Sequence, residues 1–97
     1  MRPQKKQGEA KMREYNLTVS SPDGNIFCGN VVAVYARGIE GDLAILAGHA
    51  PFVTFLKPCE VRIEFNDLNE IKGKVDGGIL SVSDNGVILQ SSSFRMI

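Results

Sequence analysis

Turn signals recur so closely along this chain that no segment of helical period and helical length fits between them. They are Ser21-Pro22-Asp23-Gly24-Asn25, Arg37-Gly38-Ile39-Glu40-Gly41-Asp42, Gly48-His49-Ala50-Pro51, Asn66-Asp67, Asp76-Gly77-Gly78 and Asp84-Asn85-Gly86. Proline fixes φ, glycine accepts positive φ, and Asn and Asp fold onto their own backbone. What remains between the turns is short and rich in β-formers: residues 15–20, 26–27, 30–37, 43–46, 52–56, 61–65, 71–75, 79–83 and 87–90. Leu17 and Val19 alternate with Thr18 and Ser20, and Val61, Ile63 and Phe65 alternate with Arg62 and Glu64. That period of two predicts strands with one buried face, and the spacing predicts an all-β sandwich or small barrel. The Asn85-Gly86 pair suits a tight hairpin.

Length allows one such domain and not two, and 43% apolar residues are enough for a core. Charge is balanced overall, at eleven basic and eleven acidic residues, but unevenly placed. Arg2, Lys5, Lys6, Lys11 and Arg13 face only Glu9 and Glu14 in the first fourteen residues, which leaves six basic and nine acidic residues afterwards. Residues 1–14 therefore read as a disordered basic leader, with Met12 a candidate natural start, and residues 15–95 as the folded domain. A mildly acidic body argues against nucleic acid as a partner, because such binding needs a clustered basic face. The start lacks the apolar stretch of a secretory signal. The longest uncharged run, residues 43–56, is broken by Gly48, His49 and Pro51 and is shorter than the ~20 residues that span a bilayer. Membrane association is expected only through a partner.

Little here points to catalysis. His49 is the only histidine, so any imidazole chemistry must use it. Cys28 and Cys59 are expected to be reduced, structural thiols, with Cys28 a small buried group in a β-core. A zinc site from Cys28, His49 and Cys59 lacks the closely spaced ligand pairs of structural zinc. Glu40 and Asp42 share one turn, whereas paired acid–base carboxylates face each other across a substrate. Gly38, Gly41 and Gly48 are not followed by a helix, and Gly77-Gly78 lacks the Lys-Ser/Thr of a phosphate loop. These glycines are read as positive-φ or close-approach positions, and no cofactor is expected. In Gly48-His49-Ala50-Pro51 the proline extends Ala50 and the glycine frees the bend, which sets His49 at a rigid corner.

The order of these pieces resembles one family. Tyr15-Asn16-Leu17-Thr18-Val19-Ser20-Ser21-Pro22 opens the match, followed by Phe27-Cys28-Gly29 and a valine-rich strand. Then come Glu40-Gly41-Asp42-Leu43-Ala44-Ile45-Leu46-Ala47-Gly48-His49-Ala50-Pro51, Lys57-Pro58, Val61-Arg62-Ile63 and Gly77-Gly78-Ile79-Leu80-Ser81-Val82. Together they look like the N-terminal β-domain of the epsilon subunit of F-type ATP synthases, the counterpart of the mitochondrial delta subunit. Two positions depart from that pattern. Leu46-Ala47 stands where the family usually has Tyr-Pro, and Cys59 where it has glycine.

The resemblance implies a small flattened β-sandwich of short antiparallel strands with tight turns. It implies a non-catalytic central-stalk (rotor) subunit that couples ion flow through the c ring to ATP synthesis. Its partners would be the gamma subunit and the c-subunit ring, and its place the cytoplasmic face of a bacterial inner membrane, peripherally bound. By position, Glu40, Gly41 and Asp42 correspond to the family's ring-facing loop, and Ser21, His49 and Thr54 to its gamma-facing side. Many bacterial relatives continue into a C-terminal helical hairpin that binds ATP and inhibits hydrolysis. The chain shows no such helical segment before Ile97, so those two properties do not carry over. Two other expectations compete with this one: a stand-alone β-sandwich interaction module recruited through the basic leader, and a small thiol enzyme using Cys28 or Cys59 with His49.

Overall fold

The alternation at Leu17 and Val19 carries through the computed structural model, which describes residues 13–97: both side chains are fully buried while Thr18 and Ser20 are not. The leader assigned to residues 1–14 lies outside the described residues up to Met12. Eight strands follow in order: β1 (Tyr15–Ser21), β2 (Gly24–Val31), β3 (Ala33–Gly38), β4 (Gly41–Leu46), β5 (Phe52–Glu64), β6 (Glu70–Ser83), β7 (Gly86–Gln90) and β8 (Phe94–Met96). There is no helix among the described residues. The fold is all-β, as the turn density demands.

The strands form one hydrogen-bonded path, β2-β1-β7-β6-β5-β3-β4, with β8 added to β6. All pairs are antiparallel except β1 with β7, which run parallel. The path closes over itself because two of its strands are long. β5 and β6 span 13 and 14 residues, where short strands were expected, and each contributes one half to each layer. The first layer holds residues 52–56 and 79–83 beside β7, β1 and β2. The second holds residues 58–64 and 70–76 beside β3, β4 and β8. Sequence suggested breaks at Lys57-Pro58 and at Asp76-Gly77-Gly78. The chain bends there while the ladder runs on, from Leu56↔Gly78 to Pro58↔Asp76. A continuous ladder is what lets one hairpin serve two layers.

Between the layers sits one apolar core. Leu17, Val19, Leu80, Val82, Val87 and Leu89 come from the first layer, and Val34, Ile45, Val61, Ile63, Val75 and Phe94 from the second. Fully burying each such side chain contributes roughly 1.5–3 kcal/mol, the dominant favourable term in a domain this small. Gly73 makes room for Phe94, whose ring covers the space a Cβ would need.

Two hairpins use the same local device. Ser21 Oγ accepts from Asp23 N and donates to Gly24 O, and Ser83 Oγ does the same with Asn85 N and Gly86 O. Each two-residue loop is followed by a glycine at positive φ, +127° at Gly24 and +136° at Gly86. The tight hairpin expected at Asn85-Gly86 forms there; its tip is Asp84-Asn85, and Gly86 begins the returning strand opposite Ser83. The serine cap stabilises ordinary negative-φ loop residues, so the positive φ moves one residue on.

Candidate functional site

Because side chains alternate across a strand, each layer has an inner face in the core and an outer face, and the two outer faces differ in chemistry. On the first layer, Val53 and Phe55 of β5 project away from the core, as do Ile79 of β6 and Ile88 of β7. They are 66%, 56%, 36% and 45% exposed. The register joins them: Phe55 stands opposite Ile79, Val53 opposite Ser81, and Ser81 opposite Ile88. Ile88 in turn lies beside Thr18, and Thr18 beside Cys28. This is an apolar stripe across β5, β6 and β7, in a row that runs on through β1 to β2 without a charged residue. Such stripes mark interaction surfaces more often than isolated exposed side chains do.

The outer face of the second layer is the opposite. Arg62 lies over the Tyr35 ring at 4.3 Å, within 3.8 Å of Glu64 and 3.9 Å of Glu70, and Glu70 reaches Lys72 at 3.9 Å. Arg37 donates to Asp42 at 3.0 Å. Mixed charge of this kind is at home in water.

The residues singled out by sequence fall around these faces. Glu40 and Ile39 form the tip of the β3–β4 hairpin, which Gly38 and Gly41 close, with Gly41 at φ +133°. Asp42 follows at the start of β4 and is held by Arg37. Glu40, Gly41 and Asp42 thus make one exposed acidic turn. Ser21, His49 and Thr54 are not gathered into one cluster. Ser21 ends β1 and lines a cleft with Gly77, Gly78 and Ser91. His49 lies by the other end of β1, in a cleft with Arg13, Tyr15 and Asn16. Thr54 sits in β5 between Val53 and Phe55, opposite Leu80.

The His49 corner is built as expected. Gly48 takes φ +84°, His49 N donates to Leu46 O at 3.2 Å, and the imidazole packs on Phe52 with centroids 5.0 Å apart. Nδ1 is 2.9 Å from Ala50 O, and since a carbonyl only accepts, Nδ1 carries the proton and donates, with the ring exposed.

Neither thiol shares that corner. Cys28 is exposed on the outer side of β2, with its sulfur 3.6 Å from the Thr18 hydroxyl, which corrects the expectation of a buried core group. Phe27 takes the inward position opposite Val19 and packs edge-on against Phe65 instead. Cys59 is half-buried beside the Arg37 carbonyl. Nothing here brings a thiol onto the imidazole. Among the described residues no group of three or more His, Cys, Asp and Glu side chains is placed to hold a metal ion. None of the described residues forms a helix long and apolar enough to cross a membrane.

Two features of the framework carried no sequence signal of their own. Tyr15 donates its hydroxyl to Ile45 O at 2.7 Å and ties β1 in the first layer to β4 in the second. Burial, and then the neighbouring Tyr35, push its ionisation well above the ordinary 10.0. Ser91 is buried, 2.7 Å from Gly77 O, and accepts from Ser93 N at 3.2 Å, pinning the bend of β6.

Comparison with known proteins bears on this two-faced sandwich. Residues 14–95 match the family described as ATP synthase, Delta/Epsilon chain, beta-sandwich domain. An ATP synthase epsilon chain of Wolbachia pipientis wMel is 32% identical over 85 residues, which cover 88% of this chain and 75% of the relative. One of Chlorobium limicola is 35% identical over 77 residues, covering 79% and 88%. Among solved structures, a chain of the Euglena gracilis mitochondrial ATP synthase, from its OSCP/F1/c-ring assembly, superposes with a TM-score of 0.81 at 25% identity. That likeness covers 99% of this chain and 62% of the Euglena chain, so the protein spans less than two thirds of its length. A chain of the Tetrahymena thermophila mitochondrial ATP synthase central stalk and c ring shares the fold, with a TM-score of 0.71 at 19% identity, covering 88% and 68%.

Proposed function

The chain belongs to the ATP synthase delta/epsilon family, and on that footing we propose that it is a non-catalytic rotor subunit of the central stalk in an F-type ATP synthase. Its part is to couple ion flow through the c ring to ATP synthesis by holding gamma and the ring in fixed relation. It needs no cofactor of its own for that task. It works at the cytoplasmic face of a bacterial inner membrane, attached through the complex.

The observation that carries this reading is the apolar stripe of Val53, Phe55, Ile79 and Ile88, four exposed side chains that strand pairing gathers on one outer face. Covering it against gamma removes four large side chains from water. Each contributes about 1 kcal/mol, since roughly half of its surface is still exposed and full burial is worth roughly 1.5–3 kcal/mol. Ser21 and His49 lie at the two ends of β1 beside this stripe, which suits both to the gamma side; Thr54 turns inward opposite Leu80 and supports the stripe from beneath, between Val53 and Phe55. The acidic turn Glu40-Gly41-Asp42, with Ile39 at its tip, is offered to the polar loops of the ring. Two layers cross-tied by Tyr15 and by the unbroken β5–β6 ladder give the stiffness that an adaptor under torque needs.

The test is co-elution of the purified chain with the gamma subunit of its own synthase. The double variant Phe55→Asp, Ile88→Asp should keep its circular dichroism spectrum and lose the complex, because two charges are forced into an apolar interface. A chain that never binds gamma, or a double variant that binds unchanged, would overturn this reading.

A further inference from the structure

The two ends of the sheet are treated unequally. At one end, among the described residues β2 pairs only with β1, and its edge is blunted: the register shifts between Val19 and Ser20, and Gly24, Asn25, Gly29 and Asn30 are poor strand formers. At the other end, among the described residues β4 pairs only with β3, through an unshifted register from Ala33↔Leu46 to Gly38↔Gly41. Its sequence, Gly41-Asp42-Leu43-Ala44-Ile45-Leu46, has no lysine, no proline and no bulge, the devices by which free edges are normally kept from pairing.

The ladder fixes which groups are free. Gly38 and Gly41 close a two-residue turn, and closing pairs exchange backbone bonds. Alternation then turns Leu43 and Ile45 toward β3 and leaves the N–H and C=O of Asp42 and Ala44 pointing away from it. These are two ready rungs, beside a half-exposed Leu43 and an exposed Leu46.

We propose that the free edge of β4 takes an added strand, an extended segment of a neighbouring polypeptide of the stalk, with a lysine or arginine opposite Asp42. The charge decides the occupant. Asp42 is exposed and Arg37 engages only its Oδ1, so a second cation completes the carboxylate. A second copy of this chain fits poorly: the register that satisfies both rungs, Asp42 on Ala44 and the reverse, sets two Asp42 carboxylates diagonally on one face. The body beyond residue 14 has six basic and nine acidic residues, which adds to that repulsion. Side chains of the added strand alternate between the half-exposed Leu43, on the inner face, and the polar outer face.

This rests on the stalk assignment, and one experiment separates the two. ATP synthase containing this chain is purified, and hydrogen–deuterium exchange with residue-resolving fragmentation compares the assembled and free subunit. The Asp42 and Ala44 amides should exchange quickly in the free chain and slow by on the order of a hundredfold in the enzyme. Ala44→Pro, which deletes an outward N–H, should fold and be lost from the purified complex. If the chain is retained while Asp42 and Ala44 exchange as in the free form, the edge proposal fails and the stalk assignment stands. If the chain is not found in the enzyme, both fail.

Discussion

Replacing Gly78 with alanine should cost far more than replacing its neighbour Gly77, although both stand at positive φ, +157° and +91°. At Gly77 an added Cβ would meet nothing nearer than Leu56 O at 3.4 Å. The penalty there is the left-handed backbone alone, about 1–2 kcal/mol. At Gly78 the same Cβ would lie 2.5 Å from Gln90 O and 3.3 Å from Ser91 Cβ. Gln90 is paired with Ile79 in the β6–β7 ladder, so its carbonyl cannot swing aside. Either β7 moves off or the bend opens, and both lose ladder bonds at about 1 kcal/mol each together with packing around Leu80 and Leu89. A penalty of about 3 kcal/mol or more follows, which places Gly78→Ala on the order of 10 °C below Gly77→Ala in melting temperature for a domain of this length. Urea titrations followed by circular dichroism measure both. Equal midpoints, or Gly77→Ala as the weaker variant, would refute the close-approach account of the bend.

Leu80→Ala should destabilise by about 2–5 kcal/mol in the same assay, because Leu80 is fully buried between Thr54 and Leu89 and its loss leaves a cavity. The part of the stability that Tyr15 carries should hold steady up to about pH 10 and fall above it: the unfolded chain then ionises Tyr15 while burial keeps the folded one protonated, so the unfolded state releases more protons. Tyr15→Phe should remove that part of the alkaline slope and cost about 1 kcal/mol at neutral pH for the bond to Ile45 O, read from denaturation at pH 7 and pH 11. Arg37→Ala should change stability by less than about 1 kcal/mol, and less again in high salt, since the pair with Asp42 is mostly exposed; a larger, salt-independent loss would contradict that.

Much of the fold was readable from residues. The turn clusters at residues 21–25, 37–42 and 84–86 mark real hairpins, and the alternation at Leu17, Val19, Val61 and Ile63 marks the core face. The strand breaks at residues 57–60 and 76–78 misled, because proline and paired glycines signal a bend equally well whether or not the ladder continues through it. Cys28 misled for another reason: an isolated small apolar residue in a short strand fits either face, and only the register with β1 assigns it outward. The acidic turn was legible as a turn. The apolar stripe was not, since Val53, Phe55, Ile79 and Ile88 come from three strands and become neighbours only by pairing.

The order of apolar, turn and glycine residues alone determined that this chain is all-β, where its hairpins fall and to which family it belongs, because those properties are local or written in linear order. Which outer face is bare of charge, which sheet end is left open and which side chains tie the layers together were decided by tertiary structure. Strand register sets all three, and register is fixed by the joint burial of distant residues, which no short segment contains.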